Sequence, residues 1–157
     1  MIRLEPATEY DLLWMFDTRN IPEVYQGFYT QDKPLRWDEH LDWWNSRSTT
    51  WRSFVVKGSW SISEWVIREE IVGVVTIGQL DHWSPEIGYY ISPPRWGRGY
   101  GKQAVQQALR FIKKQRKDYC HTTVLKSNER SIRLLKSLGF EYMAEARKGE
   151  VWMTKEL

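Results

Sequence analysis

Three glycines, Gly97, Gly99 and Gly101, stand on alternate residues of the stretch SPPRWGRGYGKQAVQQAL, Ser92 to Leu109, between a proline pair and a helical run. Inside a helix each would cost about 1 kcal/mol against alanine, so the spacing asks for something that bare backbone performs. A strand that ends in such a loop and passes at once into a helix makes an anion site. The first helical turn leaves amide N–H groups without partners, and the macrodipole places roughly half a positive charge there. Glycine lets a bulky phosphate approach those amides closely, and Arg98 and Lys102 add charge on either side. The pattern suits a diphosphate, yet it is not the P-loop spacing G-x-x-x-x-G-K-[ST]. Nor is it the dinucleotide fingerprint that follows the first strand of a βαβ unit. On the glycines alone, a tight strand-to-helix turn explains the spacing equally well.

The elements that must position this loop can be read along the chain. Ile2 to Leu4 form a short opening strand, and T-E-Y-D from Thr8 is a capping-box-like start to a helix carrying Leu12, Leu13 and Phe16. Ile21-Pro22 and Gln26 to Pro34 read as loop, and a second helix runs from about Trp37 to Asn45. Strand-like segments follow at Ser53 to Lys57, Glu64 to Arg68, Ile71 to Leu80 and Glu86 to Ser92, separated by the turn-rich stretches GSWS and DHWSP. After the glycines, Val105, Ala108, Leu109 and Ile112 repeat at helical spacing. Cys120 to Lys126 is a strand, and Glu129 to Leu138 a helix closed by Gly139. Phe140 to Ala146 and Glu150 to Glu156 form a hairpin turning at Lys148-Gly149. The expected fold is a single mixed α/β domain over residues 1–157.

Composition narrows the function further. With 157 residues, 41% hydrophobic and 27% charged, the chain can bury one core. No apolar run approaches the ~18 residues of a membrane span, and MIRLEPATEYDLLW lacks the layout of a signal peptide. The single cysteine, Cys120, cannot form an internal disulfide, which fits the cytoplasm. From Met1 to Ser46 there are four basic and nine acidic side chains, whereas Arg95 to Lys136 holds twelve basic and two acidic. Eight of the ten tryptophans precede residue 84. An isoelectric point near 9.0 with many aromatics raises nucleic acid as a partner. The basic residues cluster around the glycine loop rather than among the tryptophans, which favours an anionic cofactor over a polyanion track.

At this point the segment EIGYYISPPRWGRGYGKQAVQQAL resembles the cofactor motif of the GNAT superfamily of N-acetyltransferases, a strand followed by [QR]-x-x-G-x-[GA]. Gly99 and Gly101 fill the two small positions, and Trp96 stands where the family usually has Gln or Arg. The version W-G-x-G-[YF]-[GA] is similar to a branch with ribosomal-protein N-terminal and amino-sugar acetyltransferases. SNERSIRLLKSLGF resembles a second family segment, placing Asn128, Ser131, Leu134, Gly139 and Phe140 on its marked positions. The resemblance covers residues 64 to 157 well and the rest loosely. It implies a mostly antiparallel twisted sheet of six to seven strands, about four flanking helices, and a central parallel pair splayed apart. It also implies acetyl-CoA as co-substrate, with no metal, in a monomer or homodimer. Residues 64–157 would form the cofactor core and residues 1–50 the acceptor side.

By the same resemblance, Ile91, Trp96, Gly97, Arg98, Gly99, Tyr100, Gly101, Lys102, Asn128 and Ser131 bind the cofactor, and an N–H near Ile91 polarises the acetyl carbonyl. An amine with pKa near ~10 must lose a proton before attack. Glu86, on the same strand side as Gly88 and Tyr90, is the first base candidate, with His40 and His82 behind it. Many family members place a tyrosine seven residues after the motif asparagine to protonate the leaving thiolate. Here that residue is Leu135, leaving Tyr142, Ser131 or water. The acidic, tryptophan-rich N-terminal region would hold a small cationic amine, with Trp37, His40 and Trp43 as contacts. TRNIPEVYQGF and DEHLDWW are loosely similar to acetyltransferases of nucleotide-linked amino sugars, and a protein N-terminus is the other acceptor.

Acetyl-CoA should raise the melting temperature, the gain in stability being about 2.7 kcal/mol at a hundredfold excess over Kd. Gly99→Glu and Gly101→Glu should abolish the shift. A wild-type protein that melts unchanged in millimolar acetyl-CoA would overturn the assignment of the loop.

Overall fold

The computed structural model describes residues 1–157. Strand β1 (Ile2–Pro6) leads through a 3-10 turn into helices α1 (Leu12–Arg19), α2 (Pro22–Tyr25) and α3 (Trp37–Asn45). Strands β2 (Arg52–Ser63), β3 (Val66–Gly78) and β4 (Glu86–Ile91) follow. Then come α4 (Tyr100–Lys114), β5 (Tyr119–Leu125), α5 (Glu129–Ser137), β6 (Glu141–Glu145) and β7 (Glu150–Glu156). One seven-stranded sheet runs β1-β2-β3-β4-β5-β7-β6, antiparallel throughout except between β4 and β5. This is the mixed α/β sheet expected from the sequence, with five α-helices rather than about four.

The middle of the sheet is built from runs rich in β-branched residues and buried on both faces, FVV in β2 and IVGVVTI in β3. On one face, Ala104, Val105, Ala108 and Ile112 of α4 and Leu135 of α5 pack with Val72, Val75, Ile77 and Ile87 into the main core. On the other, Leu12 and Met15 of α1 close over Val74. The register slips where Val56 pairs with Gly73 and Lys57 with Ile71, leaving Val72 as the extra residue of a bulge in β3, its side chain in the core under α4.

Three local expectations are corrected. GSWS is strand, not turn: Gly58 pairs with Ile2 on one side and Glu70 on the other, so two ladders override local turn propensity. The hairpin reverses at Glu64-Trp65 instead, merging the two segments read separately into β3. Pro22 opens the short helix α2, with proline at a first-turn position where its missing N–H costs nothing. In α1 the inward residues are Leu12 and Met15, while Leu13 faces solvent.

The feature that positions the site is the β4–β5 pair. The two strands share a single bridge, Glu86 with His121, and the Thr122 hydroxyl donates to the Ile87 carbonyl at 2.7 Å just beyond it. Past that point they part. No helix is long and apolar enough to cross a membrane.

Candidate active site

Where β4 leaves β5, its backbone keeps one edge open. The N–H of Ser92 donates across to Val72 of β3 at 2.8 Å. Alternation along an antiparallel ladder then turns the Tyr90 and Gly88 amides to β3 as well. The amides of Tyr89 and Ile91 point the other way, into the gap. A 3-10 turn at Pro93–Arg95 follows, and two prolines in succession supply no N–H to extend the ladder.

Gly97 and Gly99 take the left-handed backbone conformation, with φ of 73° and 78°. Gly99 caps α4, and the first α4 amide to find a carbonyl is that of Gln103, on Gly99 at 3.1 Å. The earlier first-turn amides are therefore free for an anion. Gly101 serves packing instead: a Cβ there would stand 3.1 Å from Leu134 of α5. Trp96, the departure from the family motif, donates its indole N–H to the Ile91 carbonyl at 2.7 Å and fastens the loop to the end of β4. The Arg130 guanidinium of α5 lies over its ring at 3.4 Å.

These elements wall a cleft of about 840 Å³ that runs on toward the N-terminal helices. Ile91, Trp96, Gly97, Gly99, Tyr100, Gly101, Lys102, Asn128 and Ser131 all line it, together with Glu86 and Trp43. Asn128 caps α5 by accepting from the Ser131 amide at 3.2 Å, and its Nδ2 donates to the Gly27 carbonyl at 3.2 Å. Ser131 also shares a 2.8 Å hydrogen bond with the Tyr89 hydroxyl. Glu86 accepts a 2.6 Å hydrogen bond from the Tyr29 hydroxyl. Burial, and then this bond, push the Tyr29 phenol above the ordinary tyrosine range. Opposite Glu86, His121 is held to Ser84 at 3.2 Å, and burial lowers its pKa despite the nearby carboxylate.

Several expected residues stand elsewhere. His40 is fully buried, packed among Phe16, Trp37 and Trp43, with Nε2–H on the Leu12 carbonyl at 3.1 Å. Burial lowers its pKa, so it is a neutral core residue rather than a substrate contact or base. Trp37 packs edge-on against Phe16 outside the cleft lining. Tyr142 is exposed on β6, the outermost strand, away from the cleft. Arg98 and His82 face solvent. Leu135 is buried in the main core. Cys120 is fully buried and its thiol is pushed up to about 12 by burial, which removes it as a nucleophile.

Residues 2–141 match the Acetyltransferase (GNAT) domain family. The chain belongs to the GNAT acetyltransferase family. Members are acyltransferases that use acetyl-CoA as co-substrate. The chain is also 34% identical over 154 residues to an uncharacterised protein of Methanocaldococcus jannaschii, covering 95% of this chain. It spans only 30% of the length of that curated relative. The crystal structure of a domain from the same organism superposes with a TM-score of 0.90 at 32% identity, covering 100% of this chain and 99% of that one. A Vibrio cholerae spermidine N-acetyltransferase in complex with CoA and spermine shares the fold, with a TM-score of 0.81 at 16% identity over 99% and 95% of the two chains.

Sequence reasoning missed Tyr29, Tyr89, His121 and Arg130. Tyr29 reaches Glu86 across 57 positions of sequence, and no local pattern marks such a pair. Glu86→Gln should lower turnover by roughly 10²–10⁴-fold while leaving acetyl-CoA binding intact, and Tyr29→Phe should lower it less. Steady-state rates alongside cofactor titrations check both; an unchanged rate in Glu86→Gln would remove the carboxylate from proton transfer.

Proposed function

We propose that this chain transfers an acetyl group from acetyl-CoA to a primary amine of a small molecule, with an amino sugar as the acceptor, by direct attack in a ternary complex. The single observation that carries this is Glu86. It lies in the cleft at the one point where β4 and β5 meet, hydrogen-bonded to Tyr29 and beside the free edge of β4. A carboxylate there can take the proton of an amine as the nitrogen attacks the thioester carbon. The Tyr89 and Ile91 amides aim at the gap where the carbonyl oxygen gains charge, a role for preorganised donors. As the C–S bond breaks, the thiolate needs a proton, and the Ser131 hydroxyl, paired with Tyr89, is the cleft group available to relay one. The inert, buried Cys120 supports direct transfer over an acyl-enzyme, and a cytoplasmic setting with it.

The glycine loop, the first turn of α4 and Lys102 would hold the pyrophosphate. Arg130, carried over Trp96, would supply the side-chain donors that Gln or Arg gives other family members. Asn128 would meet the pantetheine arm, since an amide side chain retains a free donor and acceptor beyond the two bonds it makes here. We assign residues 64–157 to this cofactor core and 1–50 to the acceptor side.

The N-terminal wall of the cleft sets Met15, Phe28, Leu35 and Trp43 beside the charged Arg19, Glu23 and Glu39, a concave lining of apolar and charged groups that suits a small molecule better than a peptide. Thiol release from acetyl-CoA should be seen with amino sugars in a panel that also holds polyamines, aminoglycosides and short peptides. Turnover confined to peptides with a free α-amine would overturn the acceptor class.

A further inference from the structure

Arg19, the last residue of α1, lines the acceptor half of the cleft together with Met15, Trp43 and Tyr90. Arg3, Arg36 and Arg95 each reach a carboxylate. Arg19 does not, although its part of the sequence is rich in acids. Its guanidinium carbon sits 5.2 Å from the centre of the Trp43 ring. Burial lowers its pKa from the ordinary arginine value, and the phenol of Tyr90 is the one group that raises it. A partly buried cation with no carboxylate paired to it is costly to keep in a fold.

A second donor shares this corner. The Tyr90 hydroxyl is buried with no hydrogen-bond partner, and the Phe28 ring packs edge-on to it at 5.5 Å between centroids. Burial holds this phenol above the ordinary tyrosine range, so it stays neutral and keeps its proton to donate. A neutral O–H and a guanidinium fork thus converge on the same part of the cleft. Both want oxygen acceptors, and a guanidinium pairs best with a planar or tetrahedral oxyanion.

We infer that the acceptor carries, besides its amine, an anionic oxygen group, a phosphate ester or a carboxylate, bound by Arg19 and Tyr90 while Glu86 faces the amine. This rests on the amine-acetylation reading above. It separates the chain from any enzyme for polyamines, which carry only positive charge and would leave Arg19 unpaired.

Calorimetric titration of protein saturated with coenzyme A, so that the glycine loop is already filled, tests the inference. The probes are D-glucosamine, D-glucosamine 6-phosphate, a UDP-linked amino sugar, glutamate and spermidine. At least one anion-bearing probe should bind tenfold or more tightly than glucosamine, and the phosphate and carboxylate arms identify the oxyanion. Arg19→Met should erase the difference while leaving coenzyme A affinity and the melting temperature undiminished. Tyr90→Phe should erase part of it. Anionic probes no tighter than glucosamine would overturn the inference, and so would an Arg19→Met variant that melts lower or loses coenzyme A, since Arg19 would then be structural. Wild-type protein that takes no coenzyme A would refute acetyl transfer, and the probe titrations would still decide Arg19.

Discussion

The parallel contact between β4 and β5 is one residue pair long, and the site depends on its being no longer. Each strand is fully occupied on its outer side: β4 by β3 from Gly73 to Gly78, β5 by β7 along its whole length. Between them, the Glu86–His121 bridge and the Thr122 hydroxyl on the Ile87 carbonyl close the near end. Beyond, backbone donors face a cleft. An unpaired amide in the middle of a sheet is expensive unless water or a ligand meets it. The fold therefore keeps unmet hydrogen-bonding capacity where a thioester would lie.

Charge is divided along the same cleft. At one end α4, α5 and the glycine loop bring free helix-terminal amides, Lys102 and Arg130. At the other, α1 to α3 and their loops bring aromatic walls, the unpaired Arg19, and Tyr29 to meet Glu86 of β4. Several of the polar groups are fixed by neighbours, as Trp96 is by Ile91 and Asn128 by Gly27. A loop from the N-terminal part is thus tied directly to the cap of α5.

What was legible in the sequence was local. The strand–glycine–helix succession, the amphipathic run of α4 and the close of α5 at Gly139 depend on neighbours within a turn or two, and each could be read off. What was not legible depends on contacts far apart in the chain. GSWS has the composition of a turn, yet β1 and β3 clamp Gly58 from both sides. His40 has the chemistry of a site residue, yet three aromatic rings surround it. Tyr142 offered a plausible acid by type, and only sheet order shows it on the far edge. Arg130 is invisible as a partner of Trp96 until α5 is laid beside the loop. Types and spacings marked the glycine loop and the helices beside it; the packing of the N-terminal half of the cleft needed three dimensions.

The most direct measurement is backbone amide exchange along β4, read by NMR with and without acetyl-CoA. In the free protein the Gly88 and Tyr90 amides, which face β3, should exchange slowly, and those of Tyr89 and Ile91 fast. Saturating acetyl-CoA should slow Tyr89 and Ile91 and leave the other two as they were. Equal protection of all four amides without cofactor, or unchanged fast exchange with it, would contradict the claim that this open strand edge holds the thioester.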